Sequence, residues 1–196
     1  VKYALNKGEF FDAFVTLSSA DLNGDLPERS DGVRVLYADM NANGSEDVVW
    51  FNPDGSVEYL ELFPQRANLV STLTNGIGMV QKVTYGTAAQ QRARAEAEGN
   101  PWSTLLQMPL PVVDKVDRYA TLTGNADGSG LHEIITYSYR DGYYDGENKQ
   151  LRGFADVEIY TEGSDSQEAF TVQQQYDVGK VDPYFHNLMI ASETRT

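Results

Sequence analysis

Short alternating runs of β-branched and aromatic residues, many of them closed by an Asn-Gly or Asp-Gly pair, constrain this chain more than any other feature of its sequence. Val33, Val35 and Tyr37 alternate with polar or small neighbours, and residues 48–51 form a continuous apolar run. After the turn Asn52-Pro53-Asp54-Gly55 come Val57 and Tyr59, then Leu60 and Leu62. Met79, Gln81, Val83 and Tyr85 share one face of the next run, and Ile135, Tyr137 and Tyr139 share one face of another. Residues 154–159 and 170–178 complete the set. A strand points successive side chains to opposite faces, so this period of two marks half-buried strands. Asn75-Gly76, Asp127-Gly128, Asp141-Gly142, Asp145-Gly146 and Gly163-Ser164 separate the runs, and Asx-Gly pairs favour the positive-φ turns of hairpins. The pattern predicts a mainly β fold of short antiparallel strands.

One segment departs from it. Residues 87–98 read TAAQQRARAEAE, all strong helix formers after the first, and Gly99-Asn100-Pro101 stops them. No large apolar stripe runs along this segment, so it reads as a short solvated helix between strands, with a docking helix as the alternative. Composition shifts near residues 63–70, from Asp/Asn/Gly-rich loops to longer runs rich in aromatics and Thr. That shift suggests two regions, 1–66 and 67–196.

Composition excludes several functions. The 196 residues hold 15 basic and 29 acidic side chains, a net charge of −14, so nucleic acid and anionic membrane surfaces are disfavoured partners. No apolar stretch approaches the ~18 residues of a membrane-spanning helix, so membrane insertion by this segment is not expected. With no cysteine there are no disulfides, thiolate nucleophiles or Cys-ligated metals. The chain does not begin with Met and shows no leader pattern, so it reads as a piece of something longer, with any targeting signal outside it. His132 and His186 are the only histidines. Glu133 adjoins His132, but neighbouring strand residues face opposite ways, which suits a base and its orienter poorly. No nucleophile elbow, phosphate loop or zinc-protease motif is present, so an enzyme is not expected.

The sharpest chemical motif is Asp39-Met40-Asn41-Ala42-Asn43-Gly44-Ser45-Glu46-Asp47. Oxygen side chains fall at its first, third, fifth and ninth positions, and glycine at its sixth. A hard cation such as Ca²⁺ takes oxygen ligands from alternate residues of a tight loop. Asp39, Asn41, Asn43, the Ser45 carbonyl and Asp47 are therefore the candidate metal ligands. The twelfth position holds Trp50 instead of a bidentate Glu, and the flanks are strand-like, so this is a hairpin-type loop with a weak, structural Ca²⁺ site. The alternative is an Asx-rich turn whose side chains cap their own backbone without metal. Asp21-Leu22-Asn23-Gly24-Asp25 is a degraded copy starting 18 residues earlier, a hint of a short internal repeat.

The block from Tyr37 through Asp39-Met40-Asn41-Ala42-Asn43-Gly44 to Asp47-Val48-Val49-Trp50 resembles an FG-GAP/VCBS-type propeller repeat. After it come Leu62-Phe63-Pro64, Asn68-Leu69, Asn75-Gly76-Ile77-Gly78, Val83-Thr84-Tyr85-Gly86, Pro101-Trp102 and Pro109-Leu110-Pro111-Val112-Val113. Asp117, Thr123-Gly124, residues 137–146 and Arg152-Gly153-Phe154 follow. This ordered set, over about residues 33–160, resembles the middle region of the B component of insecticidal toxin complexes (Tc toxins). The same region occurs in Salmonella virulence plasmid B-type proteins associated with Rhs/YD-repeat shells. Leu110 between its two prolines and Ala155 after Phe154 depart from the more usual Pro-Phe-Pro and Phe-Gly.

The resemblance implies partial β-propeller blades in the first region and the start of a shell wall in the second. It implies a non-catalytic, secreted, structural segment. The parent would dock on the A-component translocation channel and, with the C component, enclose a cytotoxic effector. The competing reading is a calcium-stabilised adhesion or binding module for carbohydrate or protein, for which Tyr143 and Tyr144 are candidate contacts. Trp50, Trp102 and Phe154 read as packing residues, with Gly153 relieving a bend. Cut from its parent, such a sheet is expected to expose its edges and self-associate.

Overall fold

The computed structural model of the protein describes residues 2–18, 30–106, 108–120, 132–164 and 167–196. The degraded loop at Asp21–Asp25, the Asp127-Gly128 pair and Thr123-Gly124 lie outside them. The chain divides into two compact units: residues 1–38 with 47–61, and residues 39–46 with 62–196.

The first unit carries a two-stranded hairpin, β1 (Lys2–Tyr3) and β2 (Val15–Thr16), and an antiparallel three-stranded sheet. The sheet consists of β3 (Arg34–Ala38), β4 (Asp47–Phe51) and β5 (Val57–Leu60), with β4 in the centre. Leu36, Val49 and Tyr59 form one cross-strand row, while Val35 with Trp50 and Tyr37 with Val48 and Leu60 form rows on the other face. Apolar residues thus occupy both faces. Val48, Val49 and Trp50 are buried, as the continuous run 48–51 suggests, whereas the flanking Leu36, Tyr37 and Tyr59 are exposed.

The second unit is a seven-stranded antiparallel meander in the order β12-β11-β10-β9-β8-β7-β6. Its strands are β6 (Thr72–Thr74), β7 (Met79–Thr87), β8 (Pro111–Ala120), β9 (His132–Asp145), β10 (Gln150–Thr161), β11 (Phe170–Asp177) and β12 (Leu188–Arg195). The mainly β, antiparallel expectation holds, and among the described residues the one α-helix is the expected short one, α1 (Ala88–Ala97). Its start is a capping box. Gln90 N donates to Thr87 Oγ1 at 3.0 Å, and Thr87 N donates to Gln90 Oε1 at 3.0 Å, satisfying two otherwise orphaned donors. Gly99, at φ +76°, ends it.

Two expectations need correction. Asp141-Gly142 is not a hairpin turn, because both residues lie inside β9. Asp141 has φ +52°, which kinks the strand locally, and Gly142 is a packing position. A Cβ there would sit 2.9 Å from the Phe154 ring and 3.0 Å from Leu106 Cδ2. Nor is α1 a solvated excursion: Ala88, Gln91 and Ala95 form a narrow buried stripe against β7 and β9. The stripe escapes a search for large apolar residues because small alanines let the helix approach closely.

Around α1 lies the core of the second unit, in which Ala88, Leu106 and Val112 pack with Trp102, Met108, Leu110, Tyr139, Leu151 and Phe154. Trp102 meets Phe154 edge-on at 5.9 Å, and Tyr139 lies 4.9 Å from Phe154, both within the attractive range for aromatic pairs. Burial, with the nearby phenol of Tyr137 and carboxylate of Asp114 adding to it, pushes the Tyr139 hydroxyl up to about 12.

Candidate functional site

Three features of the second unit carry chemistry or recognition: the loop 39–45, the wedge where α1 enters the sheet, and the sheet's open edge.

The loop is knitted by its own Asx side chains. Asp39 Oδ1 accepts from Asn43 N at 3.0 Å and its Oδ2 from Gly44 N at 2.8 Å. Asn41 Oδ1 also accepts from Asn43 N, at 3.1 Å, and Asn43 Oδ1 accepts from Ser45 N at 2.7 Å. Asn43 is buried, and its Nδ2 donates to Phe63 O at 3.2 Å. Gly44 has φ +85°, which glycine adopts freely. Asp39, Asn41, Asn43 and Ser45 are therefore brought together in one turn. Asp47, the fifth expected ligand, is the fully buried first residue of β4 and belongs to the first unit. The oxygen donors of this turn suit a hard cation in kind. Their number does not suit tight binding, since the turn holds one carboxylate. Among the described residues, no three His, Cys, Asp or Glu side chains are grouped to hold a metal.

Among the described residues, β8 and β9 pair from Lys115 opposite Thr136 to Tyr119 opposite His132, and the wedge arises at the Lys115–Thr136 end. Beyond Thr136, β9 runs on to Asp145 without β8 beside it, and α1 with the segment after it takes the vacated side. Gln91, 4 % exposed, supplies from the helix what a neighbouring strand would: its Oε1 accepts from Tyr139 N at 3.4 Å and its Nε2 donates to Tyr137 O at 3.5 Å. The same Nε2 donates to Asp114 Oδ1 at 3.1 Å. Further along, Ser103 N donates to the Asp141 carboxylate and Thr104 Oγ1 donates to Gly142 O at 2.7 Å. Between α1 and strands β9–β12 opens a polar groove of about 640 Å³. Its floor is cross-strand hydrogen bonds, from Gln173 to Glu158 at 2.9 Å and from Gln175 to Asp156 at 3.2 Å.

The β9–β10 turn is held by charge. Asp145 accepts from Glu147 N, Asn148 N and Asn148 Nδ2 at 2.8–3.0 Å, and from Arg152 Nη2 at 2.9 Å. The Asn148 side chain and backbone, followed by Arg152, hold this carboxyl well below its usual range. Arg152 and Asp145 are both buried. Gly153, at φ +97°, and Phe154 in the core complete the packing role expected of this triplet.

Neither histidine lines the groove. His132 Nε2 lies 3.4 Å from Asp117 Oδ1, while Glu133 pairs with Arg118 at 2.6 Å, so the two neighbours serve different partners. Lys115, with smaller help from His132, holds Asp117 below the ordinary carboxylate value. His186 Nδ1 sits 2.8 Å from Pro183 O, beside a short 3-10 turn at Pro183–Phe185. Tyr143 and Tyr144 lie within β9.

The outermost strand, β12, is exposed at every residue, including Leu188, Met189 and Ile190. The preceding loop adds the exposed Val181, Tyr184 and Phe185. Sequence reasoning missed this strand, because its apolar residues are consecutive and then give way to polar ones. It also missed β8, whose Val112, Val113 and Val116 are interrupted by charges. No helix among the described residues is long and apolar enough to cross a membrane.

The family model described as the insecticide toxin TcdB middle/N-terminal region matches residues 12–183. The fold also matches solved toxin structures. One is a TcdB2–TccC3 complex, at TM-score 0.68 and 21% identity over 95% of this chain and 9% of that one. Another is the Photorhabdus luminescens Tc holotoxin pore, at TM-score 0.67 and 20% identity over 90% of this chain and 8% of that one. The chain thus spans less than a tenth of the length of these solved chains. No curated protein matches it.

Proposed function

We propose that this chain, which belongs to the insecticide toxin TcdB middle/N-terminal region family, is a non-catalytic structural segment of a secreted toxin-complex component. In this reading the second unit is a section of a β-sheet wall that encloses a cytotoxic effector. The parent component docks on a translocation channel, the A component, and closes its shell with an effector-bearing C component. The observation that supports it best is the open meander. Its outer strand β12 offers an unsheltered edge with Leu188, Met189 and Ile190 exposed, and the opposite edge is the short, exposed β6. A long exposed apolar edge is a template for another strand and a liability if left bare. The three-stranded sheet of the first unit supports a propeller-like packing, because apolar residues on both of its faces call for cover on both sides.

Hydrogen exchange tests the wall reading. If β12 pairs with a further strand in the complete toxin component, amides of residues 188–195 are protected there and exchange faster in the isolated 196-residue chain. Equal exchange in the two contexts sinks the reading.

Calcium belongs to the proposal as an optional stabiliser of the loop 39–45. Asp39, Asn41, Asn43 and the Ser45 carbonyl supply its oxygen donors. One carboxylate in the turn makes the binding weak, so the loop's own hydrogen bonds hold its shape first.

A further inference from the structure

We infer that Asn75-Gly76, at the turn between β6 and β7, is a self-modifying site at which the native fold promotes closure of the asparagine side chain onto its own backbone. In that reaction the Gly76 amide nitrogen gives up its proton to solvent base and attacks Asn75 Cγ. The new C–N bond places negative charge on Oδ1. Collapse of the intermediate breaks the bond from Cγ to Nδ2 and expels ammonia, which takes its proton from water. Water then opens the succinimide ring at either carbonyl, leaving aspartate or isoaspartate.

The structure supplies two of the conditions this closure needs, donors for the developing charge and an unengaged attacking amide. Asn75 is exposed, and its Oδ1 accepts from Ile77 N at 3.0 Å and Met79 N at 2.9 Å. Two backbone donors therefore already point at the atom on which charge develops, the arrangement that stabilises oxyanions in acyl chemistry. The nucleophile is unobstructed. Gly76 has no side chain, even a Cβ added to it would meet nothing within 4 Å, and its N–H makes no hydrogen bond among the described residues.

The same dipeptide at Asn43-Gly44 lacks these conditions. There the Gly44 N–H donates to Asp39 Oδ2 at 2.8 Å, and an adjacent carboxylate opposes the negative charge an attacking amide must acquire. Asn43 is 5 % exposed, and its Nδ2, the leaving group, is held on Phe63 O. Identical sequence thus gives one reactive and one protected asparagine. Either product at position 75 adds a negative charge to a chain already at −14, and isoaspartate also inserts a methylene into the main chain. The insertion falls immediately after β6, a strand of three residues at the sheet edge, and loosens its register on β7.

The test is peptide mapping by mass spectrometry of the folded chain held in mildly alkaline buffer, with protein isoaspartyl methyltransferase as the probe for isoaspartate. The peptide carrying Asn75 is expected to convert at least about tenfold faster than the peptide carrying Asn43, equivalent to about 1.4 kcal/mol in barrier. In urea the two rates converge, because the dipeptides are the same, and the Asn75 rate is no higher there than in the folded chain. Similar rates at 75 and 43 in the folded chain overturn the inference, as does a faster rate at Asn75 in urea than in the folded chain.

Discussion

Gln91 is the point at which the wedge can be broken by one substitution. Its carboxamide makes one good hydrogen bond to the Asp114 carboxylate at 3.1 Å and two long ones, at 3.4 and 3.5 Å, to the edge of β9. A bond to a charged acceptor contributes about 1.5–3 kcal/mol, and the two long bonds together about 1 kcal/mol. Gln91→Met keeps the length of the side chain and returns part of that loss through apolar burial, so the expected net cost is about 2–3 kcal/mol. Gln91→Glu costs more, because a second carboxylate then faces Asp114 and the Tyr137 carbonyl. Urea unfolding read by Trp102 fluorescence checks this. A Trp50→Phe background silences the tryptophan of the first unit. With a slope of roughly 2 kcal/mol per molar urea, the midpoint for Gln91→Met falls by about 1 M. The Tyr139 amide should also exchange faster with solvent. A midpoint shift below about 0.25 M for both variants, a change under ~0.5 kcal/mol, refutes the idea that a side-chain amide stands in for a strand here.

Two further predictions follow the charged turn and the Asx loop. The depressed carboxyl of Asp145 contributes stability that is complete above its unfolded value of about 4 and is lost as pH falls through its lower folded value. An acid titration followed by Trp102 fluorescence should therefore show the second unit weakening below about pH 4, and Arg152→Met should weaken it at neutral pH and flatten that acid dependence. An unchanged acid profile in the variant speaks against the pair. Millimolar Ca²⁺ should raise the melting temperature slightly relative to EDTA and Asp39→Asn should abolish the difference; identical melting in both buffers removes calcium from the proposal.

The fold was legible wherever burial followed a local period. Three residues of the continuous run at 48–51 became the buried centre of their sheet, with Phe51 left exposed, and Asp145-Gly146 opens the β9–β10 turn, where Lys149 and not the glycine takes the positive φ, at +53°. Legibility failed where long-range geometry took over. Asp141-Gly142 carries the same turn signature as Asp145-Gly146, yet its glycine exists to clear the Phe154 ring and Leu106, atoms that no local pattern brings near. The buried stripe of α1 was invisible because glutamine and alanine do not advertise burial, and Gln91 is buried only because β8 parts from β9. For the loop, the spacing of Asp39, Asn41 and Asn43 correctly announced a convergent turn. What converges there, in hydrogen-bond terms, is the loop's own backbone, a purpose that serves equally with or without an ion.

The short ladder between β8 and β9 has a mechanical meaning. A sheet carries shear through the rungs that join its strands, and β9 and β10 are joined along nearly their whole length, from Gln150 opposite Asp145 to Thr161 opposite Ile135. β7 and β8 are joined almost as fully. Load passing from one half of the sheet to the other must cross the brief seam between Lys115–Tyr119 and His132–Thr136, braced at one end by a helix. Among the described residues this five-pair seam is nearly matched by the six-pair ladder between β10 and β11, so bending of the sheet is expected to fall on these two seams, the first of them braced by α1.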